Sequence, residues 1–142
     1  MKKIQADVLV IGGGSAGMGA FRAARKATDN VYIAEDYKFG TTCARVGCMP
    51  SKLLIAAAEA AHHSKHTAQF GVDMDGDVRV DGQQVMGRGR GERERFVGFV
   101  VEDVEAWPDG NRLLGCAKFK EAHTVIVTKQ AGEQTQVSTK RI

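Results

Sequence analysis

Two of the three cysteines, Cys43 and Cys48, stand with four residues between them in FGTTCARVGCMPSK, residues 39–52. Such a pair suits a metal clip, two inert reduced thiols packed as small hydrophobes, or a redox dithiol. Zinc draws on His62 and His66, which complete the pattern C-x4-C-x13-H-x3-H. If Pro50 to His66 is one continuous helix, Cys48 and His62 are about 21 Å apart along its axis. One zinc needs its ligands about 2.0–2.3 Å away. The spacing therefore argues against zinc, and the histidines read as a polar, partly solvated helix end near Lys65. A dithiol cannot close within one regular helix, because the Cα atoms would be too distant. It can close if Cys43 lies in a loop and Cys48 in a distorted first helical turn. Gly40, Gly47 and Pro50 provide that irregularity. A thiol at a helix start also has its thiolate favoured, which suits disulfide exchange. Packed, idle cysteines remain the alternative.

A second chemical signature lies upstream. Gly12-Gly13-Gly14-Ser15-Ala16-Gly17 fits G-x-G-x-x-G, and Glu35 follows Gly17 by 18 residues. Gly12 permits a tight turn, Gly14 lets backbone approach a pyrophosphate, and Gly17 lets a helix pack on the preceding strand. Amides at the helix start then hold phosphate, and the Glu35 carboxylate accepts from ribose hydroxyls. A glycine-rich turn without ligand is the plainer reading. The loop alone does not separate NAD from FAD.

The flanking elements suit these roles. ADVLVIG, residues 6–12, reads as a buried parallel strand, Ser15 to Lys26 as an amphipathic helix, and Val31 to Glu35 as a second strand. Together they form a β-α-β unit of the kind that builds parallel sheets. Pro50 to about Gln69 is alanine-rich and helical by propensity. Residues 70–81 read as an irregular link with a short extended piece. Residues 82–106 read as a second long helix, although Gly87, Gly89 and Gly91 each weaken it by about 1 kcal/mol. Pro108 to Asn111 is a stop and turn. Leu113 to Phe119, Thr124 to Lys129 and Thr135 to Thr139 read as strands, with a hairpin turn over Gln130 to Gln134. The fold class is α/β: an incomplete parallel sheet with helices, plus a small three-stranded meander near the C-terminus.

The chain has 142 residues, 43% hydrophobic and 26% charged, which suits one globular domain. A net charge of +3 argues against a dedicated nucleic-acid binder. GRGRGERER, residues 87–95, is too short for an arginine-glycine tract, and Glu92 and Glu94 offset its charge, so it reads as a solvated helix face. Val8 to Ile11 is too brief for a secretory signal, and no stretch approaches a membrane span. The expected compartment is the reducing cytoplasm.

Residues 40–52, GTTCARVGCMPSK, resemble the redox segment of the flavin-dependent pyridine nucleotide-disulfide oxidoreductases, especially dihydrolipoamide dehydrogenase-like members. Both cysteines, Gly40, Thr42, Gly47 and Pro50-Ser51-Lys52 fall into register. Thr41 departs from the usual glycine, a change that bears on substrate access. Residues 85–107 resemble the family's second long helix, and GCAKFKEAHTVIV, residues 115–127, its strand on the adenine side of FAD.

The resemblance implies a Rossmann-like FAD-binding domain, of which residues 1–142 are the N-terminal part. Gly12, Gly14, Ser15 and Gly17 would hold the FAD pyrophosphate, Glu35 the adenosine ribose, and Ala117 would offer its backbone to the adenine region. Thr42 and Lys52 would face the flavin, with Lys52 stabilising negative charge on its reduced form. Cys48 would sit against the flavin, its thiolate favoured by the helix start, and Cys43 would exchange with a dithiol, disulfide or lipoyl substrate. Cys116 would be a packed strand residue, and no metal is implied. The NAD(P)-binding and dimerisation domains, with their catalytic histidine and glutamate, would lie beyond residue 142, so NAD(P) and the homodimer belong to the full-length protein. This part alone would not turn over substrate, and its sheet would lack a central strand and expose an edge. Glutathione- and mercuric-reductase-type chemistry are the alternatives within the family. Outside it stands a nucleotide-binding fragment with idle cysteines.

Overall fold

The computed structural model describes all 142 residues. They form two compact units, one of Met1–Thr41 with Val100–Ile142 and the other of Thr42–Phe99.

The first unit is built on a six-stranded sheet. Its strands are β1 (Lys2–Ile11), β2 (Val31–Glu35), β3 (Arg112–Leu114), β4 (Cys116–Glu121), β5 (Thr124–Thr128) and β6 (Gln134–Arg141), in the order β3-β2-β1-β6-β5-β4. β1, β2 and β3 run parallel, as the α1 crossover (Ser15–Arg25) between β1 and β2 requires. β1 serves two neighbours. Its C-terminal half pairs with β2 from Val8↔Val31 to Ile11↔Ala34, and its N-terminal half pairs with β6 from Lys2↔Thr135 to Val8↔Arg141.

The expected α/β fold with a three-stranded meander is present, and β6 also pairs parallel with β1, which makes β4-β5-β6 continuous with the parallel strands. β6 accompanies β1 only as far as Val8↔Arg141, and the edge strands of the sheet are β3 and β4. The expected single strand Leu113 to Phe119 is instead divided. Gly115 takes φ 157°, and a Cβ there would lie 2.6 Å from the Thr128 carbonyl oxygen. The break sends Arg112–Leu114 to pair with β2 and Cys116–Glu121 to pair with β5, at opposite ends of the strand order.

Side-chain alternation along β2 supplies two cores. Ala34 joins Ile4, Ala6, Leu9, Val125, Val127 and Val137 on the meander side, with Tyr32 packed against them. Val31 and Ile33 join Phe21 of α1 on the other side, with Val8, Val10, Phe39 and Trp107 against them. The Phe21 and Trp107 rings stack at 4.3 Å, and Arg22 lies over Trp107 while pairing with Asp103.

The second unit is helical. It holds the single-turn α2 (Thr42–Arg45), α3 (Cys48–Ser64), a 3-10 turn (Thr67–Phe70) and the larger part of α4 (Gly82–Glu105). Asp81 opens α4 by accepting the Gln83 and Gln84 amides at 2.9 and 3.0 Å. α3 begins two residues before Pro50 and ends before the expected Gln69, because the chain tightens into 3-10 bonds after His62. No strand forms in residues 70–81. A Cβ at Gly87, Gly89 or Gly91 would meet open space, and nothing in the structure explains these glycines.

Candidate functional site

In the first unit, β1 runs into the glycine loop. Gly12 has φ 98°, which glycine adopts readily, and its amide donates to the Ala34 carbonyl at 2.8 Å. Gly17 packs so tightly that a Cβ would lie 1.8 Å from the Gly12 oxygen. Gly13, given no role from sequence, is constrained less severely, by a side chain: a Cβ there would lie 2.7 Å from the Phe39 ring. A Cβ at Gly14, by contrast, would meet nothing within 4 Å. α1 starts after Gly14 with no side-chain cap and no acidic residue in its first turn. Its first backbone bond is Met18 N–H to the Gly14 carbonyl at 2.9 Å. The turn that begins at Ser15 thus presents amides without a covering side chain, at the positive end of an eleven-residue helix.

Glu35 ends β2 beside this loop. One carboxylate oxygen accepts the Gly13 amide at 2.5 Å and the other accepts the Tyr37 amide at 3.3 Å. Its carbonyl accepts the Gly115 amide at 2.8 Å, which ties the end of β2 to the start of β4. Ala117 follows on β4, opposite Val127, on an edge strand that leaves part of its backbone unpaired. A cleft of about 630 Å³ lies here, lined by Asp36, Cys116, Lys118, Phe119, Ile126 and Thr128 among others. Cys116 is on a strand as expected, but it is half-buried and lines this cleft.

In the second unit, the structure brings Cys43 and Cys48 together. Cys43 lies in α2 rather than in an open loop, and Cys48 is the first residue of α3. Gly47 separates the two helices with φ −113° and ψ −112°, and a Cβ on it would press to 3.2 Å on the Thr42 carbonyl oxygen. Both thiols are free; Cys43 is half-buried and Cys48 exposed. The Cys48 side chain and the backbone N–H groups of Cys48 and Met49 all lie close enough to act on the Cys43 thiol. The first amides of α3, at Cys48 and Met49, lower the Cys43 titration. The Cys43 thiol nevertheless titrates above its ordinary value. The hydrogen bond with Cys48 is the largest cause, followed by burial and then the Cys48 charge.

Thr42 stands beside Cys43 in α2, exposed, with its carbonyl accepting the Val46 amide at 3.0 Å. Lys52 is exposed on α3 four residues after Cys48, hence one turn along the same face. Thr41, at the end of the first unit, takes φ 57°, where glycine sits with least strain. α3 runs unbroken from Cys48 to Ser64, which keeps Cys48 and His62 near its opposite ends. No group of three or more histidine, cysteine, aspartate or glutamate side chains converges as metal ligands would. No helix is long and apolar enough to cross a membrane.

Comparison with known proteins matches residues 6–142 to the family described as pyridine nucleotide-disulphide oxidoreductase. The chain is 33% identical over 129 residues to a dihydrolipoyl dehydrogenase of Rhizobium etli, covering 88% of this chain and 26% of that protein. It is 37% identical over 136 residues to the Corynebacterium glutamicum dihydrolipoyl dehydrogenase, covering 89% and 27% respectively. A glutathione reductase of Burkholderia cepacia is 44% identical over 71 residues, covering 50% of this chain and 16% of the relative. The chain spans about a quarter of the length of the dihydrolipoyl dehydrogenases it matches. With the family's pattern running from Ala6 to Ile142, this chain belongs to the pyridine nucleotide-disulphide oxidoreductases.

Proposed function

We propose that this chain is the FAD-binding, dithiol-bearing part of a disulfide oxidoreductase of dihydrolipoyl dehydrogenase type, acting in the cytoplasm. The observation that carries the reading is the approach of Cys43 and Cys48 across Gly47, where a Cβ on Gly47 would lie 3.4 Å from the Cys43 Cα and the two thiols act on each other. Packed, inert cysteines do not need an exposed thiol and a helix start beside each other.

The glycine loop fits a dinucleotide diphosphate. Gly12 and Gly17 are required by the protein's own backbone, whereas the open space at Gly14 leaves room for a ligand oxygen. The uncapped start of α1, including Ser15, favours that anion. Glu35 retains acceptor capacity for ribose hydroxyls, and the cleft lined by Asp36, Cys116 and Lys118, the last two flanking Ala117 on β4, has room for an adenine. Thr42 and Lys52 would serve the flavin end. Bound FAD would carry an electron pair between a nicotinamide and the dithiol.

The chain's own chemistry is thiol exchange. The Cys43 thiolate attacks one sulfur of a substrate disulfide, forming a mixed disulfide and releasing a substrate thiolate, which takes up a proton. The Cys48 thiolate then attacks the Cys43 sulfur, closing Cys43–Cys48 and releasing the second substrate thiolate. The substrate gains two electrons and the dithiol loses two. Reversed, the same steps oxidise a dihydrolipoyl dithiol. NAD(P) binding, homodimerisation and turnover are assigned to the full-length protein, whose relatives extend well past this match. A glutathione-type disulfide is the second reading, favoured by the similarity to the Burkholderia cepacia enzyme.

The test is cofactor retention together with thiol accounting. The chain mixed with FAD should retain about one flavin per chain through gel filtration, and mild oxidation should protect Cys43 and Cys48 from alkylation together. Retention of NAD without flavin, or independent oxidation of the two thiols, would overturn the assignment.

A further inference from the structure

The last turn of α3 carries His62 and His63, and His66 follows two residues past its end; the disulfide chemistry uses none of them. We propose that His62 and His66 form a two-imidazole site for a borderline divalent cation of the nickel, copper and zinc class. Three observations support it. Beyond the last turn of α3 the chain turns back before the 3-10 turn, which brings the His62 and His66 imidazoles together. Their rings lie 4.3 Å apart, tilted by 33°, and both side chains are exposed. The His66 Nδ1 lies 2.7 Å from the His62 carbonyl oxygen. A carbonyl can only accept, so Nδ1 carries the proton, and in the neutral ring Nε2 is left with a free lone pair. A ring N–H held by a backbone carbonyl is the usual support of a metal-binding histidine, since it fixes both tautomer and ring orientation. The negative end of the seventeen-residue α3 dipole also favours a cation.

Neutral imidazole suits these cations better than calcium or magnesium, which prefer oxygen. With no third side chain converging, water completes the shell and the site stays open to exchange. His63 is edge-on to His62 at 6.1 Å and is assigned no ligand role. The site is separate from the dithiol, because His62 lies 14 residues after Cys48 on α3, about 21 Å along the axis.

Titration of the 142-residue chain with nickel chloride by calorimetry tests the site, since nickel leaves thiols reduced. One ion per chain should bind, and paramagnetic broadening should reach the ring protons of His62 and His66 but not those of His123. His62→Ala and His66→Ala should each abolish saturable binding, whereas His63→Ala and the Cys43→Ser/Cys48→Ser pair should retain it. Glutamine variants at positions 62 and 66, checked by circular dichroism, guard against mistaking lost helix for lost ligand. Undiminished binding in the His62→Ala/His66→Ala double variant would overturn the proposal. Binding that vanishes with the cysteines would do the same.

Discussion

The Gly13 amide donates to the Glu35 carboxylate at 2.5 Å, so the acid at the end of β2 holds the glycine loop while keeping lone pairs free. A hydrogen bond to a charged, part-buried acceptor contributes about 1.5–3 kcal/mol. Glu35→Ala should therefore lower unfolding stability by about 2 kcal/mol and weaken FAD retention. Glu35→Gln keeps an acceptor and should restore most of the stability. Urea midpoints measure the first effect and fluorescence titration with FAD the second. Equal midpoints for wild type and Glu35→Ala would show that the loop holds itself.

Gly14 and Gly17 separate folding from binding. Gly17→Ala forces a Cβ against the Gly12 oxygen, and relieving that overlap should cost about 3 kcal/mol. Gly14→Ala meets open space at an ordinary φ of −75°, so stability should hold or rise by about 0.4–1 kcal/mol. The same Gly14→Ala change should abolish FAD retention if the diphosphate lies against that backbone. Thermal melts paired with FAD titration distinguish the two; a Gly14→Ala chain that binds FAD normally would place the diphosphate elsewhere.

These glycines also show what the sequence disclosed. β1, α1 and β2 were legible because the unit from Ala6 to Glu35 is local, with apolar runs, a helix start and a turn in order. The approach of Cys43 to Cys48 was legible for the same reason: Gly47 and Pro50 flag an irregular helix start. Gly13 was opaque because its constraint comes from Phe39, which only the folded chain brings against it. Gly115 was opaque because an isolated glycine among strand formers does not announce a change of partner from β2 to β5. The pairing of β6 with β1 spans over 130 residues, and no local pattern encodes it.

That long-range pairing carries a pH signature. Lys140 on β6 reaches Asp7 on β1 at 2.7 Å, and Thr28 donates to the same carboxylate at 2.8 Å. The Lys140 hydrogen bond, then that from Thr28, holds the Asp7 carboxyl below its ordinary 3.8. The unfolded chain consequently takes up this proton at a higher pH than the folded one. The contribution of Asp7 is fully present above the unfolded value and is lost as pH falls from there through the depressed folded value. Asp7→Asn should flatten the decline of the urea midpoint below about pH 4 while leaving its slope near neutrality unchanged. An acid limb identical to wild type would show that Asp7 makes no such contribution.

Cys43 offers the most direct reading of the candidate site, because two influences on it oppose each other. The Cys48 side chain raises its titration, whereas the Cys48 and Met49 amides lower it. Cys48→Ala removes the thiol partner and its charge but leaves both backbone donors in place. The pH profile of Cys43 alkylation should then shift to lower pH, with faster reaction at neutral pH because more thiolate is present. Met49→Pro would remove one donor but also restrict the backbone of Cys48 before it, so the informative comparison is Cys48→Ala against Cys48→Ser, whose hydroxyl retains a hydrogen bond without a second titrating thiol. Cys48→Ser should fall between wild type and Cys48→Ala. An alkylation profile that stays where it was in Cys48→Ala would mean that the two sulfurs do not interact, and the dithiol reading would lose its geometric support.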